Sequence, residues 1–586
     1  MRQWMVAAKK ADFYAIAEKF HVDPVVARII RNREVIGEKN IRIYLGGNLS
    51  DLSDPHQMKD MDRLVEILAQ KIRKQVHIRI IGDYDVDGVT SSHLFLTALR
   101  RVGAKVDVVI PHRIQDGYGL SLHLLQQAKE DGVDTILTCD NGIAAIDEIA
   151  WAKAQKMTVL VTDHHAVPFE EHEGRRTEKK SLADAVVNPH QQDCGYPYKE
   201  LCGAGVAWNV IRVLYENYDM DKREAEDLLD FVAMATVCDV MSLTGENRIL
   251  VKEGLKRIRH TKNIGLQALM QACNVQPENI SAYHFGYVLG PCVNATGRLD
   301  TARHALRLFE TGQETEAEEI ARDLVDLNQE RKELTLQGVE MAKKLCEEGG
   351  YENDPVLVLF LPDVHESIAG LIAGRIREMY NRPVFVLTRG EAGVKGSGRS
   401  TENYSMYENM CGCAELFTKF GGHPMAAGLS LPEENVEKFR RKINENCPLT
   451  VEEVCPDIHI DMAMPVGYAS TELVHQFALL EPFGKDNPSP LFADRNLSIS
   501  RMWVIGKNRN VLRMSVLSEY GQPVPVIFFG DVETLFAYFT EKFGQEEVEN
   551  ALHGRKNRIL FSMVYTAKID FYQGNENLQL EMKYYR

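Results

Sequence analysis

Three β-branched apolar runs, residues 76–81, 135–138 and 158–162, each lead directly into a polar cluster: Asp83-Tyr84-Asp85-Val86-Asp87-Gly88, Asp140-Asn141-Gly142 and Asp163-His164-His165. A fourth cluster, Cys238-Asp239-Val240, closes the apolar stretch 231–237. Runs of this kind, bounded by turn residues and separated by helix-length segments, predict buried parallel strands. In an open α/β sheet the carboxyl ends of the strands border the crevice where ligands bind. Carboxylates gathered there repel one another unless cations neutralise them. A two-metal hydrolytic site is the expected outcome.

Asp83, Asp85 and Asp87 alternate, so an extended segment projects them the same way, with the turn expected near Gly88. Oxygen ligands mixed with one or two imidazoles suit Mn²⁺ or Mg²⁺ better than zinc. A carboxylate bridging two ions about 3.5–4 Å apart is the usual device for activating water in phosphoester hydrolysis. The candidate ligands are Asp85, Asp87, Asp140, His164 and Asp239, with Asp83 coordinating or supporting. Asp140 stands alone at its strand end and is the candidate bridge and catalytic carboxylate. His165 is expected to face the scissile phosphate, and Asp163 to act as a support. Taken singly, Asp85 or Asp140 reads equally well as a helix N-cap; four clusters in order do not.

A chain of 586 residues is too long for one core, so several domains are expected. Hydrophobic content of 45% and charged content of 26% fit a soluble protein, and no run approaches a membrane span. The first residues lack the apolar core of a signal peptide, which predicts a cytoplasmic address. Eleven cysteines show no zinc-ribbon spacing, and Cys139 and Cys238 read as small buried thiols. The net charge of −16 argues against non-specific coating of DNA, but not against gripping one strand inside a cleft. Two bound divalent ions would offset about four of those charges.

Residues 1–74 are helical by pattern (12–21, 24–31 and 60–71) and predict a cap on the catalytic sheet. Residues 75–305 carry the alternating strands and helices, including a crossover helix at 89–101 and a strand at 106–110. The charged, periodic segment 314–348 predicts a long connecting helix within 306–350. A smaller α/β module follows over 351–450, with strands at 356–360 and 384–387 and a helix at 368–379. Short alternating strands at 497–504, 511–516, 524–529, 559–569 and 578–584 predict a small β-barrel over 451–586. The fold class is thus multidomain α/β with a C-terminal barrel.

The Asp-Tyr-Asp-Val-Asp-Gly, Asp-Asn-Gly and Asp-His-His motifs, with Asp239, resemble those of the DHH phosphoesterases. Asp116-Gly117-Tyr118-Gly119-Leu120-Ser121, Asn188-Pro189 and Leu201-Cys202-Gly203-Ala204-Gly205 narrow the resemblance to the RecJ family of single-strand DNA exonucleases. In the second half, Asn294 to Arg298, Gly396 to Ser400 and Gly421 to Gly428 resemble that family's substrate-side motifs. Cys292 departs from the arginine of many relatives, and Val364 from their tryptophan. The resemblance implies a connecting helix, a DHH-associated domain, an OB-fold barrel, and 5′-to-3′ release of mononucleotides in repair and recombination. It implies Asn294, Arg298, Ser397, Arg399, Ser400, Gly421, Gly422 and His423 as strand-binding residues. The glycines of Gly396 to Ser400 read as a loop whose backbone N–H groups meet a phosphate, with Arg399 adding paired hydrogen bonds. His423 is expected to donate to phosphate or to cap a following helix. Single-stranded DNA is the expected partner of a monomer, with a helicase or single-strand-binding protein as candidate associates. The competing class is a DHH phosphoesterase of oligoribonucleotides or cyclic dinucleotides; a non-enzymatic scaffold is disfavoured by the intact metal motifs.

Overall fold

The computed structural model describes residues 3–113, 116–117, 119–172, 175–390, 393–449, 457–506, 509–572 and 574–586. The chain forms two compact units, one from residues 53–241 and 253–456, the other from residues 2–52, 242–252 and 457–586.

The first unit is built on a five-stranded parallel sheet ordered Val106–Val109, Ile78–Ile81, Thr135–Cys139, Thr158–Thr162, Ala185–Val187. Its three central strands are almost wholly buried, as the β-branched runs require. One charge enters this layer. Arg79 is 7% exposed, and its guanidinium forks onto Asp107 (3.0 and 2.6 Å) and reaches Asp131 at 2.8 Å. The helix Val86–Arg101 packs on the sheet and on the helices Gly203–Asn217 and Leu229–Cys238.

The apolar stretch 231–237 is therefore not a strand. It lies inside the helix Leu229–Cys238, which is buried along most of its length between other helices. A run apolar on every side carries no period that separates a buried strand from a buried helix, and Leu, Ala and Met favour the helix.

Asp230, at the start of that helix, is 3% exposed and accepts from Thr261 Oγ1 at 2.6 Å. Burial pushes its carboxyl up to about 6, against which the Thr261 hydrogen bond works. A carboxyl raised on folding contributes stability below its unfolded value, near 4, and loses it as pH rises through 6. Asp230→Asn is thus expected to stabilise the protein at pH 8 by about 2–3 kcal/mol, the gain fading towards pH 4. Denaturant midpoints at the two pH values check this; a destabilised variant at pH 8 would contradict it.

The connecting segment is one helix of 36 residues, Glu314–Gly349. It packs on the helices Ile264–Ala272 and Gly290–Leu299 and on Ala369–Tyr380. The second sheet of this unit is ordered Lys419–Gly422, Ala426–Leu431, Gly393–Arg399, Val384–Gly390, Leu357–Phe360.

In the second unit the strands Met462–Ala463, Phe492–Ile505, Val511–Leu517, Pro523–Phe529, Asn575–Tyr585 and Leu560–Tyr572 form a sheet in that order. Phe492–Ile505 also pairs with Leu560–Tyr572, closing the barrel. Helices Val532–Phe543 and Gln545–Leu552 enter between two of its strands and were not foreseen.

The helices within residues 2–52, expected as a cap on the catalytic sheet, belong to the unit of the barrel and not to the unit of that sheet. Trp4–Val6 pairs in parallel with Ile458–Ile460. Phe13–Phe20 and Pro24–Asn32 bury Val26, Ile29 and Ile30 in one core with Leu473, Phe477 and Phe492. Arg33 forks onto Asp461 at 2.6 and 3.0 Å, fixing that contact. Only Met61–Arg73, the last predicted helix, belongs to the catalytic unit, where it packs on Gly203–Asn217. Amphipathicity shows that a helix has an apolar face and is silent on which core receives it. Among the described residues no helix is long and apolar enough to cross a membrane.

Candidate metal centre

Winding of the catalytic sheet reverses between its strands Ile78–Ile81 and Thr135–Cys139, the position where open α/β sheets form their crevice. Asp83 and Asp85 leave the first of these strands and Asp140 the second. His164 and His165 follow Thr158–Thr162, and Asp239 caps the C-terminus of Leu229–Cys238.

Alternation along an extended segment does not bring the first three aspartates together. The helix begins at Val86, two residues before the turn expected at Gly88, and Asp85 is its N-cap, accepting from Gly88 N at 3.0 Å. Asp87 lies in the first helical turn. Its oxygens accept from Gly203 N at 2.6 Å and Ala204 N at 2.7 Å, the leading N–H groups of Gly203–Asn217, whose dipole favours an anion there. Only glycine fits at 203, because a Cβ would stand 2.7 Å from that of Asp140. Asn294 Oδ1 accepts from Val86 N at 3.1 Å, so this residue braces the metal-motif helix.

The ligand atoms converge in three groups, each within 4.8 Å: Asp83, Asp85 and Asp140; Asp87, His164 and Asp239; Asp140, His164 and His165. Asp140 is common to two of them. His164 Nε2 lies 3.1 Å from Asp140 Oδ1, 3.5 Å from Asp239 Oδ2 and 3.6 Å from Asp87 Oδ2.

Burial, then the charge of Asp85, holds the Asp83 carboxyl well above its ordinary range. Burial and the charges of Asp87 and Asp85 do the same to Asp140, and Asp85 is raised by burial and Asp87. Burial lowers the His164 imidazole. Asp83 Oδ1 and His164 Nε2 are buried and make no hydrogen bond. Crowded carboxylates beside a neutral imidazole with unused donor atoms fit hard divalent cations. Cys139 and Cys238 are not part of that set: burial pushes the Cys139 thiol up to about 12 and raises Cys238 as well.

His165 sits differently. Its Nδ1 is 2.8 Å from Asp163 Oδ1, the oxygen that also accepts the backbone N–H groups of His164 and His165. Burial opposes a charged ring here, but the Asp163 hydrogen bond and the surrounding carboxylates raise it to about 9. Burial would raise Asp163 too; its bond to His165 prevails and lowers it.

Beside the acidic cluster stands a cationic one. Arg298 is pushed down to about 10 by burial and then by Arg113, Arg331 and Arg399. Arg399 is lowered by burial and by Arg113. Among the described residues none of these four guanidiniums makes an ion pair. Arg113 lies 4.8 Å over the ring of Tyr84, Arg298 donates to Ser367 O, Arg331 to Asn328 Oδ1, and Arg399 to Gly398 O. A cleft of about 400 Å³ opens here, lined by Tyr84, Arg113, Lys395, Ser397, Lys419 and Gly421. Arginines in mutual repulsion, of which Arg113 lines the cleft together with Lys395 and Lys419, fit a polyanion.

Ser397 and Gly421 thus line the cleft, whereas Ser400, Gly422 and His423 do not. Gly396 to Ser400 is no loop, because Gly393–Arg399 is an interior strand of the second sheet, paired on both sides. Its glycines answer to packing: a Cβ at Gly396 would stand 2.4 Å from Leu387 Cδ2, and one at Gly398 2.4 Å from Met406 Sδ. Ser400 is buried and its hydroxyl donates to Tyr404 O at 2.5 Å. His423 is exposed, its N–H closing a turn onto Ala426 O, and a strand follows it in place of a helix to cap. Gly422, also exposed, leads into that turn with φ 153°. Tyr118 lies outside the described residues. Arg113 and Arg331 were missed by sequence reasoning; neither stands in a recognisable motif, and only the buried polar Asn328 on the same helix face hints at Arg331.

Family descriptions match three successive parts of the chain: the DHH family N-terminal domain at residues 77–236, the DHHA1 domain at 353–447 and the RecJ OB domain at 460–584. Fold and site together define a protein of the DHH class. The single-stranded-DNA-specific exonuclease RecJ of Haemophilus influenzae is 32% identical, over 96% of this chain and 96% of its own length. That of Escherichia coli is 31% identical over 95% of each. The Bacillus subtilis protein of the same name is 32% identical over 87% of this chain, which spans 63% of its length. The crystal structure of Thermus thermophilus RecJ in complex with Mn²⁺ is similar with a TM-score of 0.81 and 25% identity, covering 100% of this chain and 79% of its own. This chain belongs to the RecJ family of single-stranded-DNA-specific exonucleases.

Proposed function

We propose that the protein is a divalent-metal-dependent exonuclease that hydrolyses single-stranded DNA from the 5′ end to mononucleotides, with two ions held by Asp83, Asp85, Asp87, Asp140, His164 and Asp239. The observation that carries this reading is the sharing of Asp140 between two ligand groups beside four arginines that make no ion pair among the described residues. The relatives' names supply the substrate, and the barrel matching the RecJ OB domain supports a single strand over a small cyclic dinucleotide. We place the activity in cytoplasmic DNA repair by a monomer, with a helicase or single-strand-binding protein as its associates.

Bound cations of this kind activate water and neutralise charge on the phosphate. The chain's own residues do the rest. Asp140 aligns both halves of the ligand set. Asp163 fixes the His165 ring through Nδ1 and favours its charged form, which suits it to stabilise negative charge developing on the phosphate. Arg113, Arg298 and Arg399 bind phosphates of the strand and fix its register. Lys395 and Lys419 line the same cleft, Lys395 beside Glu366 at 2.9 Å.

Removing divalent metal with a chelator is expected to abolish hydrolysis of a labelled single strand, and Mn²⁺ or Mg²⁺ to restore it. Hydrolysis surviving chelation would overturn the reading. Arg399→Ala is expected to weaken strand binding more than it slows single-turnover cleavage. Its salt slope, log Kd against log salt, should flatten by about 0.7 for each phosphate that Arg399 neutralises in the wild type. An unchanged slope with a collapsed rate would put Arg399 on the scissile phosphate.

A further inference from the structure

Cys273 closes the C-terminus of the helix Ile264–Ala272 and is partly exposed, whereas Cys292, in Gly290–Leu299, is 2% exposed. Their sulfurs lie 3.8 Å apart. Cys292 Sγ accepts from Asn328 Nδ2 at 3.4 Å and donates to Val288 O at 3.3 Å. Asn328 Oδ1 in turn accepts from Arg331 Nε at 3.1 Å and Nη2 at 2.9 Å. Through these bonds Cys292 holds one of the four guanidiniums of the cationic cluster. The same helix carries Asn294, which braces the metal-motif helix, and Arg298.

We propose that Cys273 and Cys292 are a redox modification site, forming a reversible disulfide with a low-molecular-weight disulfide as oxidant and thereby weakening strand binding. The proposal rests on the reading of the arginine cluster as the strand site. The more exposed partner is also the better nucleophile: the neighbouring Cys292 sulfur, then the charge of Lys332, draws the Cys273 thiol below its ordinary value. The Cys273 thiolate attacks a sulfur of the small disulfide, and one small thiolate leaves. Cys292 loses its proton and attacks Cys273 Sγ of the mixed disulfide, expelling the second small thiolate. Two protons and two electrons pass from the cysteines, and two small thiols form. Closing the sulfurs to about 2.05 Å draws Cys292 Sγ towards Cys273 and out of its bonds with Asn328 and Val288. Arg331 then loses its anchor, and the helix carrying Asn294 and Arg298 shifts with Cys292.

The test uses the full chain, incubated with oxidised glutathione, alkylated and mapped by non-reducing peptide mass spectrometry. Affinity for a labelled single strand is measured in parallel without divalent metal. The expected result is a Cys273–Cys292 cross-linked peptide and affinity reduced by about tenfold, the scale of one charge-assisted contact, both reversed by dithiothreitol. Cys273→Ser and Cys273→Ala are each expected to bind the strand as the reduced wild type does and to ignore the oxidant. Two results would overturn the proposal: mixed disulfide on exposed Cys411 with no Cys273–Cys292 cross-link, or a cross-link with unchanged affinity. The cross-link is read by mass alone, so its absence counts against the proposal even where strand binding is strong. Failure of the reduced protein to bind a strand counts instead against the functional reading.

Discussion

Asp140→Asn is expected to lower the single-turnover rate on single-stranded DNA by about three to five orders of magnitude, because the shared carboxylate orders both halves of the ligand set. The folded state should not suffer. Asp140 is 2% exposed, and its carboxyl is raised by burial and by four neighbouring aspartates. A carboxyl raised on folding contributes stability only below its unfolded value and loses it as pH rises through the folded one. Without metal, the asparagine variant should therefore melt at or above the wild-type temperature at pH 8. The wild type should gain about 3 kcal/mol from Mn²⁺ at a hundred times its Kd, a gain the variant largely loses. A variant retaining a tenth of the activity, or responding fully to Mn²⁺, would contradict the role given to Asp140.

His165→Ala carries the second large effect and separates two readings of one ring. His165 shares a ligand group with Asp140 and His164, yet its Nδ1 is held by Asp163 and its ring is pushed up to about 9. A group that serves the phosphate rather than a cation should, when removed, slow cleavage by about 10²–10³-fold while Mn²⁺ affinity stays within about threefold. Wild-type cleavage should fall as pH rises through the value of that ring, which bound cations set below 9, and the variant should lack this limb. Loss of Mn²⁺ affinity in parallel with rate would make His165 a ligand instead. Calorimetric titration of Mn²⁺ and single-turnover rates across pH give both answers.

The catalytic sheet was legible because β-branched runs ending in Asp83, Asp140 and Asp163 state both the strand and the end that matters. Asp239 was legible as a residue but not as geometry, since it arrives on the helix Leu229–Cys238, whose uniformly apolar sequence hides its period. Asp87 converges through the first helical turn and the N–H groups of Gly203 and Ala204, a long-range contact no local pattern contains. Arg298 and Arg399 were legible singly, but their grouping with Arg113 and Arg331 was not, because the four come from distant segments.

The destination of the N-terminal helices was equally illegible, and it changes an obvious experiment. Deleting the chain from about residue 453, a point outside the described residues, would strip Val26, Ile29 and Ile30 of Leu473, Phe477 and Phe492. Exposed apolar faces of this kind promote aggregation, so the barrel's part in strand binding is better probed by substitution. Tyr520 is 80% exposed and offers a stacking surface.

The most direct test of the central claim is digestion of one single strand, labelled at either end, with Mn²⁺ and products sized at early times. The 5′-labelled strand is expected to yield labelled mononucleotide from the first time point with no intermediate lengths. The 3′-labelled strand should give a descending ladder, a blunt duplex should resist, and a chelator should stop all of it. Internal fragments at the outset, equal attack on duplex, or release of mononucleotide from the 3′ label first would contradict it.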